Sequence, residues 1–420
     1  MTTATVLAQR AKQASAAMQT ATTEQKNGAL AAVARALRSA EQQATVVAAN
    51  ETDLAAAAAA GLSSAMIDRL RLDAVRLGAL ARAVDEIAAL PDPVGGIGEL
   101  VARPSGIVVG RMRVPLGVVL IVYESRPNVT VDAAALCLKA GNAVVLRGGK
   151  EALRTNLALA RIVREALRAT GLPEDGVVFV DDPDRELLYG LLRCSGAIDL
   201  AIPRGGTALI DAVNEHARVP VIQHYQGICH VYVHAVADLD VAERVVVNAK
   251  VSRPGVCNAA ECVVVDAAVA SAFLPRMARA LADQGVALRG DERACSIVPA
   301  MTPAVEADFD TEFLSLTLAV KVVDDFDAAL AFLARHGSRH TEAVITRDHD
   351  VAMRFLRRVD ASCVLVNAST RFNDGGELGL GAELGISTSK LHAYGPMGLE
   401  ELTTRKFVVL GHGETRGAPP

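Results

Sequence analysis

Apolar positions change their spacing several times along this 420-residue chain, and each change predicts an element. Through the first 90 residues they recur every three to four positions, the period of one helix face, so a set of helices is predicted there. Gly61 breaks one helix, and Ser63 or Ser64 caps the next, which runs to about Leu90. Pro91-Asp92-Pro93 and Gly95-Gly96 then stop helix altogether. From Glu99 to Arg113 short alternating runs flank Pro104-Ser105-Gly106, the pattern of a β-hairpin whose arms bury little by themselves.

From Val118 onward, short continuous apolar runs alternate with helical patterns. Strands are predicted at Val118–Tyr123, Ala143–Leu146, Val177–Val180, Leu200–Ile202 and Val219–Ile222, with helices at Val129–Ala140, Glu151–Thr170, Asp184–Arg193 and Thr207–His216 between them. A strand that is apolar at every position is covered on both faces, which argues for a parallel sheet with helices on each side. After Val231 the alternation starts again. It runs through helix 238–250, strand Cys262–Val265, helix Ala267–Gln284, strand Val320–Val323, helix 325–335, strand Ala343–Thr346, helix 348–358 and strand Val364–Val366. A Gly- and Thr-rich tail from Ser369 ends in one last apolar strand, Phe407–Leu410. The expected fold class is α/β: two doubly wound lobes, with the hairpin and tail strand left over. Unpaired strands of that kind are expected to make a subunit contact.

Composition narrows the function. Hydrophobic residues make up 51 % and charged residues 22 %, enough core for two or three domains. A net charge of −5 gives no basic field for nucleic acid or an anionic membrane, and 3 % aromatics without tryptophan leave no base-stacking platform. No apolar run approaches membrane-spanning length. No charged start with a following apolar block marks a secretory leader, and seven scattered cysteines fit a reducing compartment, so a cytoplasmic location is expected.

Of those cysteines, Cys257 stands out. It lies in Ser252-Arg253-Pro254-Gly255-Val256-Cys257-Asn258, between a predicted helix and a predicted strand, on a loop where a thiol is reachable and beside a cation. The other six sit mostly in apolar periodic segments and read as core hydrophobes. Arg147-Gly148-Gly149-Lys150 and Arg204-Gly205-Gly206 each follow a strand and open a helix. Two such turns on one sheet are an arrangement that holds a dinucleotide. Glu312, in a loop before a strand, is a candidate acceptor for ribose hydroxyls. Arg126 follows strand Val118–Tyr123, and Arg371 and Asn373 follow strand Val364–Val366, where open α/β sheets place ligand contacts. His224, Cys229, His230 and His234 alternate faces along strand-like segments rather than converge, and His336 with His340 lacks a third ligand, so no metal site is expected.

Taken together, these pieces resemble the aldehyde dehydrogenase superfamily and, within it, the gamma-glutamyl phosphate reductase family. The resemblance covers nearly the whole chain. It rests on PLGVVLIVYESRPNVTVDAAALCLKAGNAVVLRGGKEA (115–152), SRPGVCNAAE (252–261), HGSRHTEAV (336–344), VNASTRF (366–372), LGLGAELGISTSK (378–390) and GPMGLEELTT (395–404). It implies an aldehyde-dehydrogenase-like fold of three parts: a cofactor domain from 1–98 and 114–230, a catalytic domain from 231–395, and an oligomerisation hairpin and tail from 99–113 and 396–420. It also implies reduction of L-glutamyl 5-phosphate by NADPH through a thioester on Cys257, a homo-oligomer, and a transient contact with glutamate 5-kinase.

By the same resemblance Arg126, Asn128, Arg253, Asn258, Ser369, Arg371 and Asn373 are oxyanion or substrate residues. Arg147, Gly148, Gly149, Lys150, Arg204, Gly205, Gly206 and Glu312 would hold NADP. Three departures matter. His224-Tyr225-Gln226-Gly227 replaces the segment whose glutamate activates water in hydrolytic aldehyde dehydrogenases. Arg126 aligns with their oxyanion asparagine, and Phe332 stands where a histidine is implied. Another acylating aldehyde dehydrogenase, for example a CoA-dependent one, is the alternative enzyme; a silent metal-binding paralogue is the alternative of another class.

Overall fold

The computed structural model describes residues 3–223 and 226–417. The chain forms two compact units, Met1–Gln223 with Leu380–Leu384 and Met397–Pro420, and His224–Gly379 with Gly385–Pro396. Among the described residues no helix is long and apolar enough to cross a membrane.

The first unit opens with helices Ala4–Thr20, Thr23–Arg38, Ala40–Ala59, Ser64–Leu70 and Ala74–Ala89. The single helix expected from Ser64 to about Leu90 is broken at 71–73, where the Asp73 side chain accepts the Arg76 amide and caps a new helix. Gly61 takes the left-handed backbone (φ +75°) that ends the third, and the Ser63 side chain accepts the Met66 amide to cap the fourth. A four-stranded parallel sheet follows, in the order Val177–Phe179, Ala143–Arg147, Val118–Tyr123, Leu200–Arg204. Every residue of Val118–Tyr123 is buried. The chain steps outward from that strand twice, then crosses back to its other side, so a switch point lies at the C-terminal ends of Val118–Tyr123 and Leu200–Arg204.

The strand predicted at Val219–Ile222 reduces to a single bridge, Ala201 with Val221. Ala201 donates to the Pro220 carbonyl, and Ile222 donates to the Ala201 carbonyl. The ladder would continue in either direction through the amides of Pro203 and Pro220, and neither proline has an N–H to give. The hairpin and the tail form one sheet. Val101–Ala102 and Thr403–Leu410 pair antiparallel with opposite edges of Val108–Pro115, the latter over the full eight residues.

The second unit is built on a seven-stranded parallel sheet, in the order Thr302–Pro303, Ala287–Gly290, Thr317–Val323, Ala260–Asp266, Cys229–Val233, Thr341–Ile345, Cys363–Val366. Two apolar clusters cover it. Phe273, Met277 and Leu281 of helix Ala267–Ala282 pack against Val246 in one, and Phe309, Phe326 and Phe355 against Tyr232 in the other. Ala287–Gly290, Thr302–Pro303 and the helix Glu292–Ile297 were not expected from the sequence, because each is too short to establish a period.

Candidate active site

Helix Leu239–Val251 delivers the chain to the Cys257 loop, and the fully buried strand Ala260–Asp266 takes it away. The loop is the exposed stretch between two anchored elements. Cys257 is half-buried, Arg253 exposed and Asn258 buried. Three other expected residues, Asn373, Ser369 and Arg371, meet this loop or its support. The Asn258 amide donates to the Asn373 carbonyl at 2.9 Å, and the Asn373 amide donates to Thr341 Oγ1 at 2.8 Å. Ser369 accepts the Arg371 amide, and Arg371 Nε donates to Ser252 Oγ at 3.2 Å. Asn258 Oδ1, Asn373 Oδ1 and Thr370 Oγ1 are buried and have no hydrogen-bond partner among the described residues. Buried oxygens are ordinarily paired, so three orphans around one loop mark a polar place built for donors it does not itself supply.

The loop is held from behind by a residue to which the sequence reading assigned no role. Gly227 lies so close to Cys257 that a Cβ on it would stand 2.0 Å from the Cys257 carbonyl oxygen. That carbonyl also accepts the Cys229 thiol at 3.1 Å. The Gly227 amide donates to Glu312 Oε1 at 3.0 Å, so this oxygen of the expected ribose acceptor is engaged within the protein. Burial pushes the Glu312 carboxyl up.

His224 lies outside the described residues. The rest of its set diverges: Cys229 bonds the Cys257 carbonyl, His230 the Glu342 carboxylate and His234 Thr346. Burial pushes the thiols of Cys137, Cys229 and Cys262 well up and that of Cys363 up to about 11, as suits core cysteines. Phe332 packs edge-on to His230 and Phe309 and leans on His336, inside the core.

In the first unit, side chains crowd both glycine turns. A Cβ on Gly148 would stand 2.3 Å from Asn156 Nδ2, and one on Gly149 2.2 Å from Glu151 Oε1. A Cβ on Gly205 would stand 2.5 Å from Glu124 Oε2. The amides nearby are taken by carboxylates: Gly206 donates to Glu124 at 3.0 Å, and the Ser125 amide and hydroxyl donate to Glu151 at 2.9 and 2.7 Å. Sequence reasoning missed Glu124 and Glu151. No local pattern signals either role, because each acid fills an amide presented by another strand's turn. Arg147 donates to the Pro183 carbonyl, while its buried Nε has no acceptor among the described residues. Lys150 is exposed. A buried guanidinium nitrogen lacking an acceptor, with a second cation three residues on, fits a nucleotide phosphate.

Arg126 is exposed ahead of helix Val129–Lys139, and the Asn128 amide donates to Asp132 at 2.9 Å. Burial pushes the Asp132 carboxyl up to about 6. A carboxyl raised on folding holds a proton that the unfolded chain has released, so stability falls as pH rises from the ordinary carboxylate range through about 6. Asp132→Asn should therefore raise Tm at pH 8 and change it little at pH 4. Equal gains in thermal scans at both pH values would refute this account.

The comparisons bear on this geometry. Residues 2–315 match the model of the aldehyde dehydrogenase family. The gamma-glutamyl phosphate reductase of Sorangium cellulosum is 56 % identical over 98 % of this chain and 97 % of its own. That of Geobacter metallireducens is 52 % identical over 98 % of each. The crystal structure of the Thermotoga maritima gamma-glutamyl phosphate reductase superposes with a TM-score of 0.96 at 42 % identity, over 98 % of this chain and 99 % of that one. The chain belongs to the gamma-glutamyl phosphate reductase family. The fold is that of aldehyde dehydrogenases, as the sequence implied.

Three of the six segments that carried the resemblance to the gamma-glutamyl phosphate reductase family meet at one place in the second unit. SRPGVCNAAE is the Cys257 loop itself. HGSRHTEAV supplies Thr341 beneath Asn373, and Ser338, which accepts the Ile228 amide at 2.9 Å beside Gly227. VNASTRF supplies Ser369 and Arg371.

Proposed function

We propose that the chain reduces L-glutamyl 5-phosphate to L-glutamate 5-semialdehyde with release of phosphate, in the second step of proline synthesis from glutamate, using NADPH. The observation that carries this reading is the half-buried Cys257 on a loop closed by Gly227, Asn258 and Asn373, in a segment without a water-activating carboxylate at positions 224–227. Cys257 attacks as thiolate on the acyl carbon; the sulfur–carbon bond forms, and the carbon–oxygen bond to phosphate breaks as phosphate departs with the electron pair. The resulting thioester divides one hard reduction into two easier steps. Bound nicotinamide supplies the hydride. The Cys257 amide is the candidate donor to the tetrahedral oxygen, whose collapse expels the thiolate and frees the aldehyde. With no carboxylate in segment 224–227 to activate water, the thioester is kept for reduction. Arg371, which holds Ser252 at the start of the Cys257 loop, is the candidate to take the substrate's α-carboxylate.

Arg147 and Lys150 favour the extra phosphate of NADPH over NADH. The three-stranded flap is assigned to a homo-oligomer contact, and a transient contact with glutamate 5-kinase would suit a labile acyl phosphate in the cytoplasm. The reverse assay tests the reading. Glutamate semialdehyde should reduce NADP⁺ only when inorganic phosphate is present, about tenfold or more efficiently than it reduces NAD⁺, the margin expected of charge-assisted bonds to one phosphate. Turnover that needs CoA instead of phosphate would replace the substrate. Equal efficiency with NAD⁺ would remove the cofactor preference.

A further inference from the structure

Lys250 and Glu261 form an ion pair at 2.5 Å, with side chains 0 % and 1 % exposed. They bracket the nucleophile loop: Lys250 is the penultimate residue of helix Leu239–Val251, and Glu261 the second residue of strand Ala260–Asp266. Burial pushes the Glu261 carboxyl up to about 7 and the Lys250 ammonium down, the mark of charges held at a desolvation cost. A well-packed apolar pair would serve the fold as well or better. The reason for the charges therefore lies in what else they hold.

Glu261 uses its second oxygen. Oε1 accepts the amide of Leu314 at 3.3 Å, and Leu314 sits in the left-handed backbone region at φ +52°. Two residues earlier, Glu312 accepts the Gly227 amide, and Gly227 rests on the Cys257 carbonyl. The contacts run from Lys250 through Glu261, Leu314, Glu312 and Gly227 to Cys257. They close a ring, because Cys257 lies in the loop that Lys250 and Glu261 bracket.

We propose that Lys250 and Glu261 are positioning residues: the pair pins both ends of the Cys257 loop and, through Leu314 and Gly227, locks the nucleophile in register with the Glu312 loop. Neither touches substrate. This rests on the reading of Cys257 as nucleophile and Glu312 as a cofactor residue.

The test is the double variant Lys250→Met with Glu261→Leu, which keeps the volume and removes both charges. It should fold, with kcat lowered about 10²-fold by misplacement of the thiol. KM for substrate and for cofactor should stay within about threefold, the signature of lost transition-state alignment. Amide exchange at Gly227 and Leu314 should quicken about tenfold or more. Wild-type kcat, a loss confined to KM, or unchanged exchange at both amides overturns the proposal. Should the double variant not fold, Glu261→Gln carries the same readouts with about a tenfold loss of kcat expected, and wild-type kcat overturns it. Absence of phosphate-dependent turnover in the unaltered protein would indict the proposed reaction instead, while the exchange rates would still judge the pair.

Discussion

Cys257→Ser leaves a folded protein that binds cofactor and does not turn over. The hydroxyl is a far weaker nucleophile than a thiolate, and the serine ester that would replace the thioester is a poorer hydride acceptor. Loss of the covalent route should lower kcat by at least about 10⁴-fold. The substitution exchanges one atom at a half-buried loop position, so Tm should move by no more than a surface change does. Turnover by stopped assay, Tm by calorimetry and NADPH affinity by fluorescence titration together isolate the chemical step. A serine variant retaining a tenth of the activity would remove the thioester from the mechanism.

Gly227→Ala should also slow turnover, by less and for a steric reason. The new methyl would meet the Cys257 carbonyl oxygen at 2.0 Å, its carbonyl carbon at 2.7 Å and its Cα at 2.9 Å. All three are backbone atoms, so no flexible side chain end can swing away. Either the Cys257 loop retreats or segment 226–228 does. Retreat of the loop moves the thiol; retreat of the segment strains the Gly227 bond to Glu312 and the Ile228 bond to Ser338. A shift of about 1 Å at a reacting atom costs on the order of 10²-fold in rate, and the overpacking should lower stability by about 1–3 kcal/mol. Steady-state kinetics with a melting curve checks both. An alanine variant with wild-type kcat would mean that the close approach has no bearing on catalysis.

Gly227 shows where reading the sequence stops. Cys257, Asn258, Arg371 and Asn373 could be placed on loops in advance because each lies next to an apolar strand, and local pattern suffices to place such a loop. Gly227 is found only when segment 226–228 is laid against residue 257, thirty residues on in the chain, a non-local packing that no periodicity encodes. Glu124 and Glu151 went unnoticed for the same reason: each fills an amide presented by a different strand's turn. Most main strands of both sheets were apparent because they are apolar at almost every position; Cys229–Val233, which carries His230, was not among the expected strands. The short strands Ala287–Gly290 and, at the sheet edge, Thr302–Pro303 were not apparent, since each is too short to establish a period and is partly exposed. The Val219–Ile222 run failed in an instructive way: its hydrophobicity was right, but two prolines removed the donors that a ladder needs.

The flap adds a consequence for handling the protein. Among the described residues, Thr403–Leu410 pairs along one side only, with Phe407, Val409 and Leu410 more than half exposed. That is a template onto which any extended chain could add a strand, including a partly folded copy during high-level expression. Arg405 and Lys406 interrupt the apolar run with charge, as gatekeeper residues do. Replacing them with neutral residues should trade solubility for insoluble material well before it alters the active site.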